Sequence, residues 1–285
     1  MNPLDPVLSP IGSRGRTARL ATIIVLALLV GIGVNHVVWA VAQWPLGDLH
    51  IYLAAAERLQ AGEPLYLATT DLYNTYWYAP WFAVAMFPLT WLPVTVASVL
   101  WSVFLVGCTF AVGLVLWRMG TPASRLLAVL TVPALFAVSA GGNVQAPIVL
   151  ALLAGLHHRS GPVWVALAAS LKFTPILFTL VYVSRRQWAR AAWSVGLGGL
   201  LLLPAFVMGL PLDRVSSWDG AAPSVLAWGL PVYLAAVVTC CVLAVALPRY
   251  SALAAAAGAV LALPRLFVYD VTLVAAGAAP EPESR

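Results

Sequence analysis

Apolar residues along this chain gather in long uninterrupted runs, and short polar stretches separate the runs. Nine runs stand out: Leu20–Ala42, Ala79–Pro93, Val94–Trp117, Leu126–Ser139, Ala146–Leu156, Pro162–Val183, Ala189–Leu210, Val225–Leu247 and Ser251–Leu263. About 20 apolar residues cross a bilayer as a helix, and a helix satisfies its own backbone groups in lipid. The pattern therefore predicts an all-α fold class, a polytopic membrane protein of about nine transmembrane or half-spanning helices. Residues 1–19 read as a cytoplasmic N-terminal segment, 20–277 as one transmembrane domain, and 278–285, rich in Pro and Glu, as a disordered tail. Pro88, Pro133, Pro175 and Pro204 fall inside runs, where neighbouring helices are expected to tolerate them.

Polar residues between the runs set the expected orientation. Arg14, Arg16 and Arg19 precede the first run, which is too long for the apolar region of a signal peptide, about 7–15 residues. It reads as an uncleaved first span with the arginines inside, and residues 43–78 become the first extracytoplasmic loop. Alternation then places Arg185, Arg186, Arg190 and Arg249 inside, in keeping with the positive-inside rule. It places Arg118, Arg125 and His157-His158-Arg159 outside, against the rule. One short segment is therefore expected to be half-spanning, either Leu126–Ser139 or Ala146–Leu156. Aromatic residues near the run ends, such as Trp39, Tyr76, Trp77, Tyr78 and Trp91, read largely as interface belts.

Composition narrows the chemistry. The 285 residues are 62% hydrophobic and 9% charged, against about 25% charged in soluble domains, so a soluble enzyme fold is excluded. The net charge of +5 comes from scattered arginines rather than one basic face, which argues against a nucleic-acid partner. Cys108, Cys240 and Cys241 lie in apolar runs without metal-ligand spacing, and adjacent His157 and His158 share no helix face, so no metal site is expected. No acidic residue occurs between Asp71 and Asp213, and Lys172, the single lysine, lies in the middle of an apolar run.

Asp48 is the first candidate. It follows the first run directly, and Leu53–Ala61 reads as an amphipathic interfacial helix closed by Gly62, with Glu57, Arg58 and Gln60 turned away from Leu53, Ala56 and Leu59. A carboxylate with an ordinary pKa of about 3.9 at such a surface would be ionised and able to accept a hydroxyl proton. Position alone is equally compatible with Asp48 as a helix cap.

A wider pattern surrounds Asp48. Gly47-Asp48, Tyr52, Gly62, Pro64-Leu65-Tyr66, Tyr76-Trp77-Tyr78-Ala79-Pro80-Trp81-Phe82 and Pro88-Leu89 resemble the opening of the GT-C glycosyltransferases, specifically glycosyltransferase family 87. Downstream, Gly142-Asn143-Val144-Gln145, Leu171-Lys172-Phe173-Thr174-Pro175, the Arg185–Arg190 segment, Pro264-Arg265 and Tyr269-Asp270 continue the resemblance. It implies a GT-C-like fold and an enzyme of the cell membrane with its active site on the extracytoplasmic face. Its donor would be a sugar, often mannose, on a polyprenyl phosphate, and its acceptor a glycolipid or glycan. It implies Asp48 as catalytic base, with no cofactor. The leaving group is a phosphate whose growing charge fixed cations can stabilise, without a metal.

The available cations are Lys172 and Arg265. An ionisable side chain inside a span is a functional candidate by default, and Lys172 is expected to hold phosphate, with snorkelling to an interface the bland alternative. Arg265 reads as a carrier-phosphate contact or as the ion-pair partner of Asp270. Tyr269 and Asp270, Asn143 and Gln145 in their glycine-rich turn, His50, and Tyr78 complete the candidate substrate-binding residues. For Asn143 a helix cap is as good a reading, for His50 a merely solvated imidazole, and for Tyr78 a belt anchor. No second acid stands beside Asp48 in sequence, so a paired-carboxylate mechanism is not expected. A lipid-linked-sugar transporter, or a non-catalytic subunit working with a membrane partner, is the rival reading.

Overall fold

The computed structural model describes residues 31, 34, 35, 38, 45–66, 75–211 and 224–279. Most of the Leu20–Ala42 run, the acids Asp71, Asp213 and Asp219, and residues 280–285 of the expected tail lie outside the described residues. Among the described residues every element is helical. In chain order these are α1 (Gly47–Gln60), α2 (Pro80–Thr90), α3 (Val94–Arg118), α4 (Pro122–Ala140), α5 (Gln145–Gly155), α6 (Gly161–Leu171), a 3-10 turn (Thr174–Phe178), α7 (Thr179–Ser184), α8 (Trp188–Val207), α9 (Leu230–Ala246) and α10 (Ser251–Leu261). A last 3-10 segment, Val268–Ala278, was not anticipated by the run pattern.

Local chemistry sets the boundaries. Proline occupies the first turn of α2, α4, α6 and α9, where its missing N–H costs nothing. Thr121 caps α4 by accepting from the Ser124 backbone N–H at 3.1 Å. Gly62, with φ 72°, lies just past the end of α1 as expected. Pro88, Pro133 and Pro204 do sit inside helices. Pro175 does not, and this corrects the expectation of one long run from Pro162 to Val183. A proline ring clashes with the carbonyl four residues earlier and offers no N–H, and α6 ends at Leu171, four residues before Pro175. Lys172 therefore lies at a helix break, with extended backbone angles of −143° and 87°, rather than mid-helix.

The helices run back and forth between two ends. Trp101, in α3, donates from Nε1 to the Gly142 carbonyl at 2.8 Å, so α3 passes the Gly141-Gly142 turn and continues to Arg118. From that turn, α5 leads away to His157–Arg159 and α6 returns to Lys172. The 3-10 turn and α7 lead away again to Arg185, and α8 returns, with Phe206 near Phe173 at 6.4 Å between ring centroids. At the far end Arg185 Nη1 lies 3.3 Å from His157 Nδ1, and Arg190 donates to the carbonyls of Leu156 and His158. The axes of α9 and α10 turn by 119°. Tyr233, near the start of α9, donates to the Ala262 carbonyl at 2.7 Å, so the pair is a hairpin with Arg249 at its tip.

This order explains the conflict in the arginine placement. One of the two segments expected to be half-spanning, Ala146–Leu156, is covered by α5, only 11 residues long, and α2 is equally short, 11 residues and about 16 Å. It runs beside α1, tied by Gln60 Nε2 donating to Thr90 Oγ1 at 2.9 Å, so α3 starts on the same side as α1. The run from Pro162 to Val183 makes two passes rather than one. Arg118, Arg125 and Arg159 therefore lie at the same end of the bundle as Arg185.

Among the described residues three helices, α3, α4 and α8, are long and apolar enough to cross a membrane, or four if the bent pair α9 and α10 is taken as one span. The other apolar helices are shorter, 10–17 residues. The core collects where α1 and α2 meet α3 and α5. Tyr52 is fully buried there, edge-on to Tyr78, Phe82 and Trp101 at centroid distances of 5.0, 4.9 and 6.0 Å. Each such pair adds about 0.5–1.5 kcal/mol beyond area burial. Tyr76, read from sequence with the belts, is instead in the core with 1% of its surface exposed, whereas Trp91 is exposed.

Candidate active site

Four stretches far apart in sequence converge at one end of the bundle. The first is the start of α1. Its opening backbone is fastened to the glycine turn: Leu46 N–H donates to the Ala140 carbonyl at 3.1 Å and Asp48 N–H to the Gly141 carbonyl at 2.9 Å. The cap position belongs to Leu46, in the left-handed region with φ 52° and ψ 32°, so the capping role for Asp48 is displaced. The Asp48 side chain turns instead to the second stretch, where Asn143 Nδ2 donates to Asp48 Oδ2 at 2.6 Å.

Asn143 also performs the local task foreseen for it. Its Oδ1 accepts the Gln145 backbone N–H at 3.0 Å, which satisfies an end group of α5. Gln145 is fully buried and uses both ends of its amide. Its Oε1 accepts from Lys172 Nζ at 2.7 Å, and its Nε2 donates to Thr272 Oγ1 at 3.1 Å and to the Tyr269 carbonyl at 3.4 Å.

Lys172, at the helix break and with its side chain largely buried, forms the third stretch, and the Val268–Ala278 segment the fourth. Lys172 Nζ donates to Asp270 Oδ1 at 2.8 Å, the ion pair being almost wholly buried on the carboxylate side. Asp270 Oδ2 accepts the Phe267 backbone N–H at 2.9 Å, and the Asp270 N–H donates to the Phe267 carbonyl at 2.9 Å, which ties the head of the segment. The Lys172 ammonium also lies 4.6 Å from the centre of the Tyr269 ring, which stacks on Phe267 at 5.3 Å. The ion partner of Asp270 is thus Lys172, and the Arg265–Asp270 pairing considered from sequence is replaced. The Arg265 guanidinium instead stands over the rings of Trp77 and Phe267, at 5.7 and 5.3 Å.

The cluster is consequently continuous from Asp48 through Asn143, Gln145 and Lys172 to Asp270. Burial pushes the Asp48 carboxyl above its ordinary value, while the Asn143 hydrogen bond and the Lys172 charge pull the other way. The freely ionised, water-facing Asp48 expected from sequence is therefore corrected to a sheltered one. Tyr78 belongs here rather than to a belt: its hydroxyl accepts from Tyr52 at 3.0 Å, and both phenols feel the charge of Asp48. His50 is exposed on α1 and, among the described residues, makes no side-chain hydrogen bond to the cluster. No group of three or more His, Cys, Asp or Glu side chains fit to hold a metal occurs among the described residues.

Sequence reasoning missed Tyr52, Thr272, Trp77 and Phe267 as members of this site. Tyr52 and Trp77 carry a signal in their place within the aromatic pattern around Asp48. Thr272 and Phe267 carry none, because their roles arise from a 3-10 segment that hydropathy does not announce.

Comparison with known proteins bears on the same region. Residues 76–224, more than half of the chain, match the family described as Glycosyltransferase family 87. The match includes Asn143, Gln145 and Lys172; Asp48 lies before it, and Arg265 and Asp270 after it. A curated relative from Mycolicibacterium smegmatis, named polyprenol-phosphate-mannose-dependent alpha-(1-2)-phosphatidylinositol pentamannoside mannosyltransferase, is 31% identical over 164 residues. The alignment covers 52% of this chain and 40% of the relative, so the matched part spans about two fifths of that protein's length. No solved structure matches the chain. With more than half of its length matched, the chain belongs to glycosyltransferase family 87.

Proposed function

We propose that this chain transfers a mannosyl residue from a polyprenyl-phosphate carrier to a hydroxyl of a glycolipid or glycan, with inversion at the anomeric carbon. Asp48 Oδ1 takes the proton of the acceptor hydroxyl as that oxygen bonds to the anomeric carbon. The bond from this carbon to the phosphate oxygen breaks, and its electron pair leaves with the polyprenyl phosphate. Lys172 and Arg265 offset the charge that grows on the departing phosphate, and Tyr78 and Tyr269 line the space between base and cations. Asp270 is the counterion of Lys172 and not a second base, because both of its oxygens already accept hydrogen bonds.

The observation that carries this reading is the hydrogen-bonded path from Asp48 to the Lys172–Asp270 pair in a chain of this family. The name of the relative supports mannose and the polyprenyl carrier. An extracytoplasmic site is supported by the arginines of the far turns, 118, 125, 159, 185, 186, 190 and 249, which all lie away from Asp48 and favour the cytoplasmic side.

The test is transfer of labelled mannose by purified protein given a polyprenyl-phosphate mannose and a membrane lipid extract. Wild-type protein is expected to release polyprenyl phosphate and label a lipid or glycan, and Asp48→Asn, expressed at the same level, to do neither. Full transfer by Asp48→Asn would remove Asp48 as the base. Movement of intact mannolipid between leaflets without cleavage would instead favour a transporter.

A further inference from the structure

We propose that Asn143 is a positioning residue that presents the Asp48 carboxylate to the acceptor hydroxyl, and that the Asn143-Val144-Gln145 turn fixes the spacing between this base and the Lys172–Asp270 pair. The proposal rests on the reading of Asp48 as the base and goes beyond it by giving Asn143 and Gln145 a task other than substrate contact.

The hydrogen bonds of Asn143 fix which way its amide points. Oδ1 takes the Gln145 backbone N–H, so Nδ2 must be the atom that faces Asp48. The flipped amide would set an oxygen against a carboxylate oxygen and an NH₂ against an N–H donor. Asn143 is 5% exposed, and both of its polar atoms are engaged within the protein, which leaves a substrate little to grip. Meanwhile the Gly141 carbonyl holds the Asp48 backbone N–H. The aspartate is therefore held at backbone and side chain by one short turn, with Oδ2 committed and Oδ1 left for chemistry.

Two residues on, Gln145 grips the other half of the site. It accepts from Lys172 and donates to Thr272 and the Tyr269 carbonyl. Base and cation thus hang from neighbouring side chains of one rigid turn, and a misplacement of about 1 Å in such an arrangement costs about a hundredfold in rate. The groups that face Asp48 from the packed elements are Lys172 at the break after α6, Tyr52 in α1, Tyr78 before α2, and Tyr269 in the last 3-10 segment, with Asp270 and Arg265 bordering the two tyrosines. Of these only Lys172 joins Asn143 in favouring the charged carboxylate.

The test uses full-length protein with Asn143→Ser, which keeps a capping acceptor for Gln145 but has no donor long enough to reach Asp48, and Asn143→Asp, which keeps the shape and replaces the donor with an acceptor. In both, kcat is expected to fall about tenfold to a hundredfold, with KM for polyprenyl-phosphate mannose within about twofold of wild type. The donor stabilises the basic form, so its loss raises the Asp48 pKa and moves the acid limb of kcat/KM to higher pH, further in Asn143→Asp. Below the limb, each unit of movement is a tenfold loss. An infrared titration of the carboxyl band that is absent in Asp48→Asn reads the same shift without turnover, and Asn143→Thr serves if the serine variant does not fold.

A limb and carboxyl midpoint that stay at their wild-type pH overturn the proposal, whether activity is normal or uniformly reduced. Asp48→Asn separates the two readings. Activity in Asp48→Asn removes the base itself, whereas an inactive Asp48→Asn beside an unshifted Asn143→Ser removes the positioning role alone.

Discussion

At the scale of single residues, the scarcity of charge makes each ionisable group consequential. As the proposed base Asp48 would need its deprotonated form, and burial holds its pKa above the ordinary carboxylate value of 3.8. The acid limb of kcat/KM in wild-type protein is therefore expected above pH 3.8, and a pH-rate profile with the mannosyl donor reads it directly. Lys172 and Asp270 form a second test. Removing one partner of a buried ion pair strands the other charge and costs about 3–5 kcal/mol. Lys172→Met and Asp270→Asn are each expected to lower the melting temperature in detergent, and the double variant to lower it by less than the sum of the two losses. The identities of Asp48, Lys172, Arg265 and Asp270 were all legible in sequence because charged residues are rare in this chain. Their pairings were not, since Lys172 and Asp270 are 98 positions apart and no local pattern links them.

At the scale of elements, the turn between α4 and α5 organises the site. Gly142 has φ 87°, and a Cβ there would stand 2.9 Å from the Leu49 backbone nitrogen and 3.3 Å from the Leu46 Cα. Gly142→Ala combines an unfavourable backbone region, about 1–2 kcal/mol, with a clash against backbone atoms. Lowered thermal stability and loss of transfer are expected together, because the displaced element is the one that carries Asp48. The stop at Gly62 was readable from sequence, whereas the run read from Leu126 starts as a helix four residues earlier, at Pro122. Hydropathy alone merged α6, the 3-10 turn and α7, since Leu171, Phe173 and Ile176 keep the average high while Pro175 breaks the hydrogen-bond ladder. Hydropathy also stopped short of Val268–Ala278, where Tyr269, Asp270 and Thr272 are polar because they build the site.

At the scale of the whole molecule, helix direction sorts charge to the two ends. The far turns carry arginine almost exclusively, whereas the site end holds acid and base in near balance. This predicts a definite labelling pattern in intact cells or sealed right-side-out vesicles. A cysteine at Glu63, just past α1, is expected to react with a membrane-impermeant maleimide, and one at Gly120, between α3 and α4, only after permeabilisation. Equal labelling of both positions would contradict the proposed orientation. The Lys172–Asp270 pair also sets a timetable for biosynthesis. Lys172 emerges from the ribosome 98 residues ahead of its counterion, an interval of about 5–20 seconds at ordinary elongation rates. Throughout that interval the membrane-insertion machinery must shelter an uncompensated ammonium, so the site is completed only when the segment bearing Asp270 arrives to neutralise it.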